Sequence, residues 1–112
     1  MQGGSQWVEF RFKQDVCPHS VSLTFQGGFA ARSCQAILKP SDKSASAITY
    51  KTIYPRDIND SQAFDLVPVD GSAASVPAKK LRLTFTEQAD FYGRVIMYEA
   101  SITGRVAAQQ DA

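Results

Sequence analysis

Residues 20–25 read Ser-Val-Ser-Leu-Thr-Phe, an unbroken alternation of polar and apolar side chains. Successive side chains of a β-strand point to opposite faces, so Val21, Leu23 and Phe25 share one face. Two of these three apolar residues are β-branched or aromatic, the types that favour strands. The stretch therefore predicts a strand with one buried face and one solvent-facing side.

The same alternation precedes this stretch in residues 6–12. The apolar face of that segment consists of Val8, Phe10 and Phe12. The opposite face consists of Trp7, Glu9 and Arg11. We therefore predict a second amphipathic strand here, joined to the first by a polar turn over residues 13–20 that contains Cys17-Pro18.

Strand-like patterns continue along the chain and are separated by turn residues. They cover a short apolar stretch at 34–38 and strands at 48–54, 63–69, 80–85 and 95–103. In the strand at 80–85 the alternation predicts a solvent-facing side made of Lys80, Arg82 and Thr84. No segment shows helical amphipathicity over three turns. Many short strands with regular turn signals predict an all-β protein, an antiparallel sandwich or barrel.

Length and charge restrict the class of protein further. The chain has 112 residues, which predicts a single domain over residues 1–112 with residues 105–112 as a frayed tail. Lys and Arg number 12 and Asp and Glu number 11, a balance that argues against a general nucleic-acid binder. No apolar segment approaches the ~20 residues of a membrane helix.

The first ten residues, MQGGSQWVEF, lack the basic and apolar regions of a secretory signal. We therefore expect an intracellular protein, cytoplasmic or nuclear. Its two cysteines, Cys17 and Cys34, are then expected to be free thiols, with a disulfide as the minority interpretation.

The residues do not indicate an enzyme or a metal centre. His19 is the single histidine and lies in a predicted turn beside Cys17, without a visible activating group. One histidine and two distant cysteines do not make a structural zinc site. Asp57 and Asp60 permit a weak calcium site, but turn capping explains them equally well. We therefore expect no catalytic residues, no metal and no cofactor.

Two loops carry aromatic and arginine side chains of the kind that anchor binding surfaces. The first is the glycine turn at residues 26–32 and the second is the loop at residues 91–94. The candidate binding residues are Phe29, Arg32, Phe91, Tyr92 and Arg94. An alternative remains that Phe91 and Tyr92 plug the end of the barrel.

Several of these segments together resemble a known family over residues 5–104. Ser5-Gln6-Trp7-Val8-Glu9-Phe10 resembles the opening strand of discoidin-like domains, the C-type domains of coagulation factors 5 and 8. The combination of Phe-Gln-Gly-Gly-Phe at 25–29, Tyr-Pro-Arg-Asp at 54–57 and Asp-Phe-Tyr-Gly-Arg-Val at 90–95 is most similar to a small family, the orphan nuclear receptor-associated repressor proteins.

This resemblance implies a galactose-binding-domain-like jelly-roll β-sandwich, with the usual N-terminal strands of that fold lacking in this sequence. It implies a non-enzymatic binding module, with the 26–32 turn and the 91–94 loop at its ligand-binding end. A protein partner is the first expectation. A carbohydrate-binding, lectin-like module is the alternative, and an enzyme is the least favoured class.

Overall fold

The computed structural model describes residues 6–70, 76–88 and 95–106. These residues form β-strands, turns and irregular segments and contain no helix, hence none that could cross a membrane. The strands are β1 (Gln6–Phe25), β2 (Ala31–Pro40), β3 (Ile48–Thr49), β4 (Gln62–Asp65), β5 (Ala78–Gln88) and β6 (Met97–Val106). Every strand pair is antiparallel, which confirms the predicted all-β class.

The long strand β1 organises the sheet because it has different neighbours along its length. Its first half, residues 6–11, pairs with β5, which in turn pairs with β2 and then β3. Its second half pairs with β6 over residues 16–25 and with β4 over residues 20–23. Val16 lies at the change, where it pairs with both β5 and β6.

Strand β1 curls, so that its two ends come close to the same part of the sheet. A straight strand of this length would span roughly 60 Å, whereas the longest dimension of the described structure is 54 Å. Gln6 pairs with Phe85, and the Phe25 ring lies 6.1 Å from the Phe85 ring. The pairing register shifts between Arg11 and Val16, an irregularity of the kind that bends a strand.

The buried core fills the inside of this curl. Val21, Leu23 and Phe25 are fully buried, as their alternation predicts. They pack in one cluster with Leu81 and Leu83 of β5. Further members of the cluster from other strands and loops are Cys34, Ala36, Leu38, Tyr50 and Ile53. The apolar side of the first half of β1 packs against this cluster, so its opposite side faces outward.

The turn predicted over residues 13–20 is wrong, since these residues continue β1. Pro18 has no backbone N–H, and proline in a strand ordinarily marks an edge or a bulge. Here it lies opposite Gly104 of β6, and the register shifts between Pro18 and Ser20. The glycine and the shift together accommodate a proline within a paired strand.

The strand predicted over residues 48–54 is mostly irregular. Only Ile48–Thr49 forms β3, and single bridges join Tyr50 to Pro68 and Ile53 to Cys34. At the other end of the chain, β6 continues through Gly104 to Val106, and residues 107–112 lie outside the described structure.

Candidate functional site

The outward side of the three adjacent strands β1, β5 and β2 is an ordered array of side chains, which we call the outer face. Cross-strand pairing arranges it in three rows. The rows are Trp7–Thr84–Gln35, Glu9–Arg82–Ile37 and Arg11–Lys80–Lys39. Alternation along each strand places these residues on the side opposite the core.

Trp7 and Arg82 form a cation–π contact on the outer face. Trp7 is 56% exposed, although tryptophan has a large apolar side chain that is usually buried. The guanidinium carbon of Arg82 lies 4.1 Å from the centroid of the Trp7 ring, a cation–π distance. The pair presents a flat surface that is both apolar and cationic.

Glu9 lies at the centre of the charged rows and holds three cations. Its carboxylate accepts hydrogen bonds from Arg11 Nε at 3.2 Å, Lys39 Nζ at 3.2 Å and Arg82 Nη2 at 3.4 Å. The Glu9 side chain is only 8% exposed. The hydrogen bond from Lys39, helped by Arg11 and by the nearby charges, lowers the Glu9 pKa against the opposing effect of desolvation.

We expect Glu9→Gln to lower the free energy of unfolding at neutral pH by an amount that shrinks as the pH falls. The Glu9 pKa lies below its ordinary 4.5 in the folded protein, so folding favours the ionised carboxylate. That contribution is present above the unfolded pKa and is lost as the pH falls through the folded pKa. Urea unfolding of both proteins from about pH 7 to about pH 3 measures it. A difference that does not depend on pH would contradict this role for the carboxylate.

The row Arg11–Lys80–Lys39 places three cations side by side on neighbouring strands. Like charges directly opposite one another in a sheet destabilise the pairing. At the same end of the sheet, a groove of about 350 Å³ is lined by Lys39, Pro40, Ser41, Lys43, Lys79 and Lys80. We call this feature the lysine groove.

The glycine turn predicted at residues 26–32 is shorter in the structure, because Arg32 already lies in β2 while Phe29 remains in the turn. Hydrogen bonds from within the protein fix this turn. The Gly27 N–H donates to Asn59 Oδ1 at 2.7 Å, and the Gly28 N–H donates to Asp57 Oδ1 at 2.8 Å. Gly28 has a φ of 89°, the left-handed conformation that favours glycine. The backbone donors of this turn therefore bind internal oxygens instead of an external phosphate.

Phe29 and Arg32 differ in their availability to a partner. Phe29 is half-buried, and its backbone carbonyl accepts a hydrogen bond from the Ile96 N–H at 3.0 Å. Arg32 is exposed and forms no ion pair with the described residues. The other three predicted residues, Phe91, Tyr92 and Arg94, lie outside the described residues. The predicted binding end therefore stays a prediction.

The residues considered for chemistry are not assembled into a reactive group in the described part of the chain. Cys17 and Cys34 are both buried free thiols, and burial raises the pKa of Cys34 to about 12. His19 is exposed, in contrast to the neighbouring Cys17. No three histidine, cysteine or acidic side chains among the described residues are grouped to hold a metal ion.

The outward residues of β1 were predicted from the sequence, but the outer face was not predicted to be a site. The alternation of residues 6–12 separated Trp7, Glu9 and Arg11 from the apolar side, and the alternation of residues 80–85 did the same for Arg82. The missing information was the register, which places Arg82 between Glu9 and Ile37. A tryptophan on the solvent side of an amphipathic strand was the available signal.

Fold and site together define an all-β protein with a curled antiparallel sheet and an outward tryptophan–arginine surface. No family model matches the chain. The chain is 35% identical over 104 residues to the nuclear receptor 2C2-associated protein of Bos taurus, covering 93% of this chain and 68% of that protein. It is 38% identical over 103 residues to the protein of that name from Danio rerio, covering 92% and 67%. The chain belongs to the nuclear receptor 2C2-associated protein family, which confirms the receptor-associated resemblance seen in the sequence.

Proposed function

We propose that this protein is a non-enzymatic interaction module that binds a nuclear receptor of the 2C2 type, inside the cell, through its outer face. The observation that carries the proposal is the exposed Trp7 ring with Arg82 stacked on it. Tryptophan and arginine are enriched among the residues that dominate protein–protein binding energy. The names of the relatives supply the class of partner.

The surroundings of Trp7 suit a protein surface of moderate size. The Trp7–Thr84–Gln35 row and Ile37 provide apolar and uncharged polar contacts, while Glu9 and its cations lie directly beside them. An apolar centre next to charged groups is the usual composition of a protein interface. Arg82 is held over the ring by Glu9, which limits the entropy that it would lose on binding.

We propose that the whole fold is a jelly roll of the galactose-binding-domain-like, discoidin-like type. The curl of β1, with β5 on its first half and β4 and β6 on its second, supports two facing layers. The proposal does not include carbohydrate binding, for which the relatives' names give no support. The buried Cys17 and Cys34 thiols favour a non-enzymatic role over cysteine chemistry.

We expect Trp7→Ala to weaken binding to purified nuclear receptor 2C2 of Homo sapiens by about 30-fold, the loss typical of a dominant interface residue. Arg82→Gln should weaken binding by about tenfold, because the ring then loses its cationic partner. Biolayer interferometry with the immobilised receptor measures both values. Tyr54→Ala is the matched control, since Tyr54 is 69% exposed and belongs to none of the three rows of the outer face.

The outcome for Arg32→Ala separates the two candidate surfaces. If Trp7→Ala and Tyr54→Ala bind alike while Arg32→Ala loses binding, the interface lies at the glycine turn and the outer-face assignment is wrong. If the unmodified protein does not bind the receptor, the proposed partner is wrong. Circular dichroism of each variant checks that the fold is retained.

A further inference from the structure

We infer that the lysine groove binds an acidic, extended segment of the protein partner, an inference that rests on the proposed function. Four of the six residues that line the groove are lysines, and none is acidic. The groove continues the Arg11–Lys80–Lys39 row at the end of the outer face. A ligand in the groove would therefore be contiguous with one on the Trp7 ring.

The groove holds positive charge that the described structure does not neutralise. Glu9 is the carboxylate of this region that contacts cations, and it is already bound to Arg11, Lys39 and Arg82. Lys43, Lys79 and Lys80 form no ion pair with a described residue. Three lysines thus remain available to an external anion.

The nearby acidic side chains are bound to serines instead of to these lysines. Asp42 Oδ1 accepts from both the N–H and the hydroxyl of Ser44, at 3.0 and 2.7 Å. Asp15 Oδ1 accepts from the Ser41 hydroxyl at 2.6 Å. The hydrogen bonds from Ser44 lower the pKa of Asp42, which keeps that carboxylate ionised without pairing it to a lysine.

The pairing of the strands brings these positive charges close together, which destabilises the folded protein when no ligand is bound. Lys80 lies directly opposite both Arg11 and Lys39, and Glu9 relieves only the two flanking residues. Side chains paired in this way are about 5 Å apart at Cβ, and like charges at that distance repel. An anion bound over Lys80 offsets this repulsion. The contacts that bind the ligand therefore also stabilise the pairing of the strands.

An acidic polypeptide fits the charge balance better than a nucleic acid. The protein has 12 basic and 11 acidic residues, a formal net charge of +1, so its excess positive charge is local. Phosphate polymers need a long basic surface, whereas a short acidic segment needs only a small one. Alternate side chains of an extended peptide are about 6.6 Å apart, which lets successive carboxylates meet the lysines of a compact groove.

Fluorescence anisotropy with fluorescein-labelled octaglutamate tests the inference, with labelled octaglutamine as the neutral probe. We expect octaglutamate alone to bind, and its affinity to fall about tenfold between about 50 mM and about 300 mM salt, because surface charges are screened. Lys79→Gln/Lys80→Gln should weaken octaglutamate binding by about fivefold or more. Both lysines are exposed and neither contacts Glu9, so the fold is expected to persist.

The matched control is Lys51→Gln/Arg56→Gln, which removes the same charge from exposed residues outside the groove. Its octaglutamate affinity should stay within about twofold of the unmodified protein. Equal losses in the two double variants would show a response to net charge and overturn the groove assignment. Tighter binding of a labelled single-stranded oligodeoxythymidine than of octaglutamate would overturn the choice of an acidic polypeptide.

Receptor binding distinguishes failure of this inference from failure of the proposed function. If Lys79→Gln/Lys80→Gln keeps full affinity for nuclear receptor 2C2 while Trp7→Ala loses it, the outer face is the interface and the groove plays no part. If both variants lose affinity, the groove and the outer face act together, as inferred. If neither does, both proposals are wrong.

Discussion

Phe25→Ala is expected to lower the free energy of unfolding by about 3–5 kcal/mol, the usual cost of removing a buried aromatic ring. Phe25 is fully buried at the end of β1, and its ring meets the Phe85 ring edge-on at an interplanar angle of 81°. This contact joins the second half of β1 to β5, which pairs with the first half. The substitution therefore removes a contact that closes the curl, in addition to creating a cavity.

Urea unfolding followed by circular dichroism measures this loss. Tyr54→Ala is the matched control because it also removes an aromatic ring, but from a side chain that is 69% exposed. We expect the control to change stability by less than about 0.5 kcal/mol. Equal effects of the two substitutions would show that the Phe25 ring is not part of the core.

Gly104→Ala is expected to cost about 1–3 kcal/mol, the range for overpacking a close contact. A Cβ at this position would lie 2.5 Å from the Cys17 carbonyl oxygen and 2.7 Å from the Pro18 Cα. Both are backbone atoms of β1, so relief requires that the two strands move apart. The pairing of β6 with β1 on both sides of this point would then be disturbed.

Ser101→Ala is the control for this second substitution, since it leaves the same alanine side chain on the same strand without adding an atom to the contact between the strands. Ser101 is exposed and pairs with Ser22 farther along β6. A thermal shift assay compares the two variants with the unmodified protein. If Gly104→Ala were as stable as Ser101→Ala, the close approach of β6 to Pro18 would be incorrect.

The fold class could be predicted because alternation is a local property of the sequence. Val21, Leu23 and Phe25 are buried where their pattern placed them, and so are Leu81, Leu83 and Phe85. The continuity of β1 through residues 13–20 could not be predicted in this way. Pro18 and its polar neighbours have the composition of a turn, and the residue that permits their pairing, Gly104, lies far along the chain.

The candidate site was predictable to the same extent. Alternation placed Trp7, Glu9 and Arg82 on solvent-facing sides, but only the register brings them together. The glycine turn shows the same limit, because the side chains that bind its N–H groups come from Asp57 and Asn59, about thirty residues away. Contacts between distant segments decide which outward residues form a surface.

Trp7 is the single tryptophan of the chain and lies at the centre of the proposed interface, so it can report on binding directly. The most direct measurement is the ¹⁹F NMR spectrum of the protein labelled with 5-fluorotryptophan, recorded during titration with unlabelled nuclear receptor 2C2. If the outer face is the interface, the one resonance shifts or broadens as the complex forms, and its solvent isotope shift decreases because the ring is covered. A complex detected by sedimentation with an unchanged Trp7 resonance would show that the outer face is not the interface.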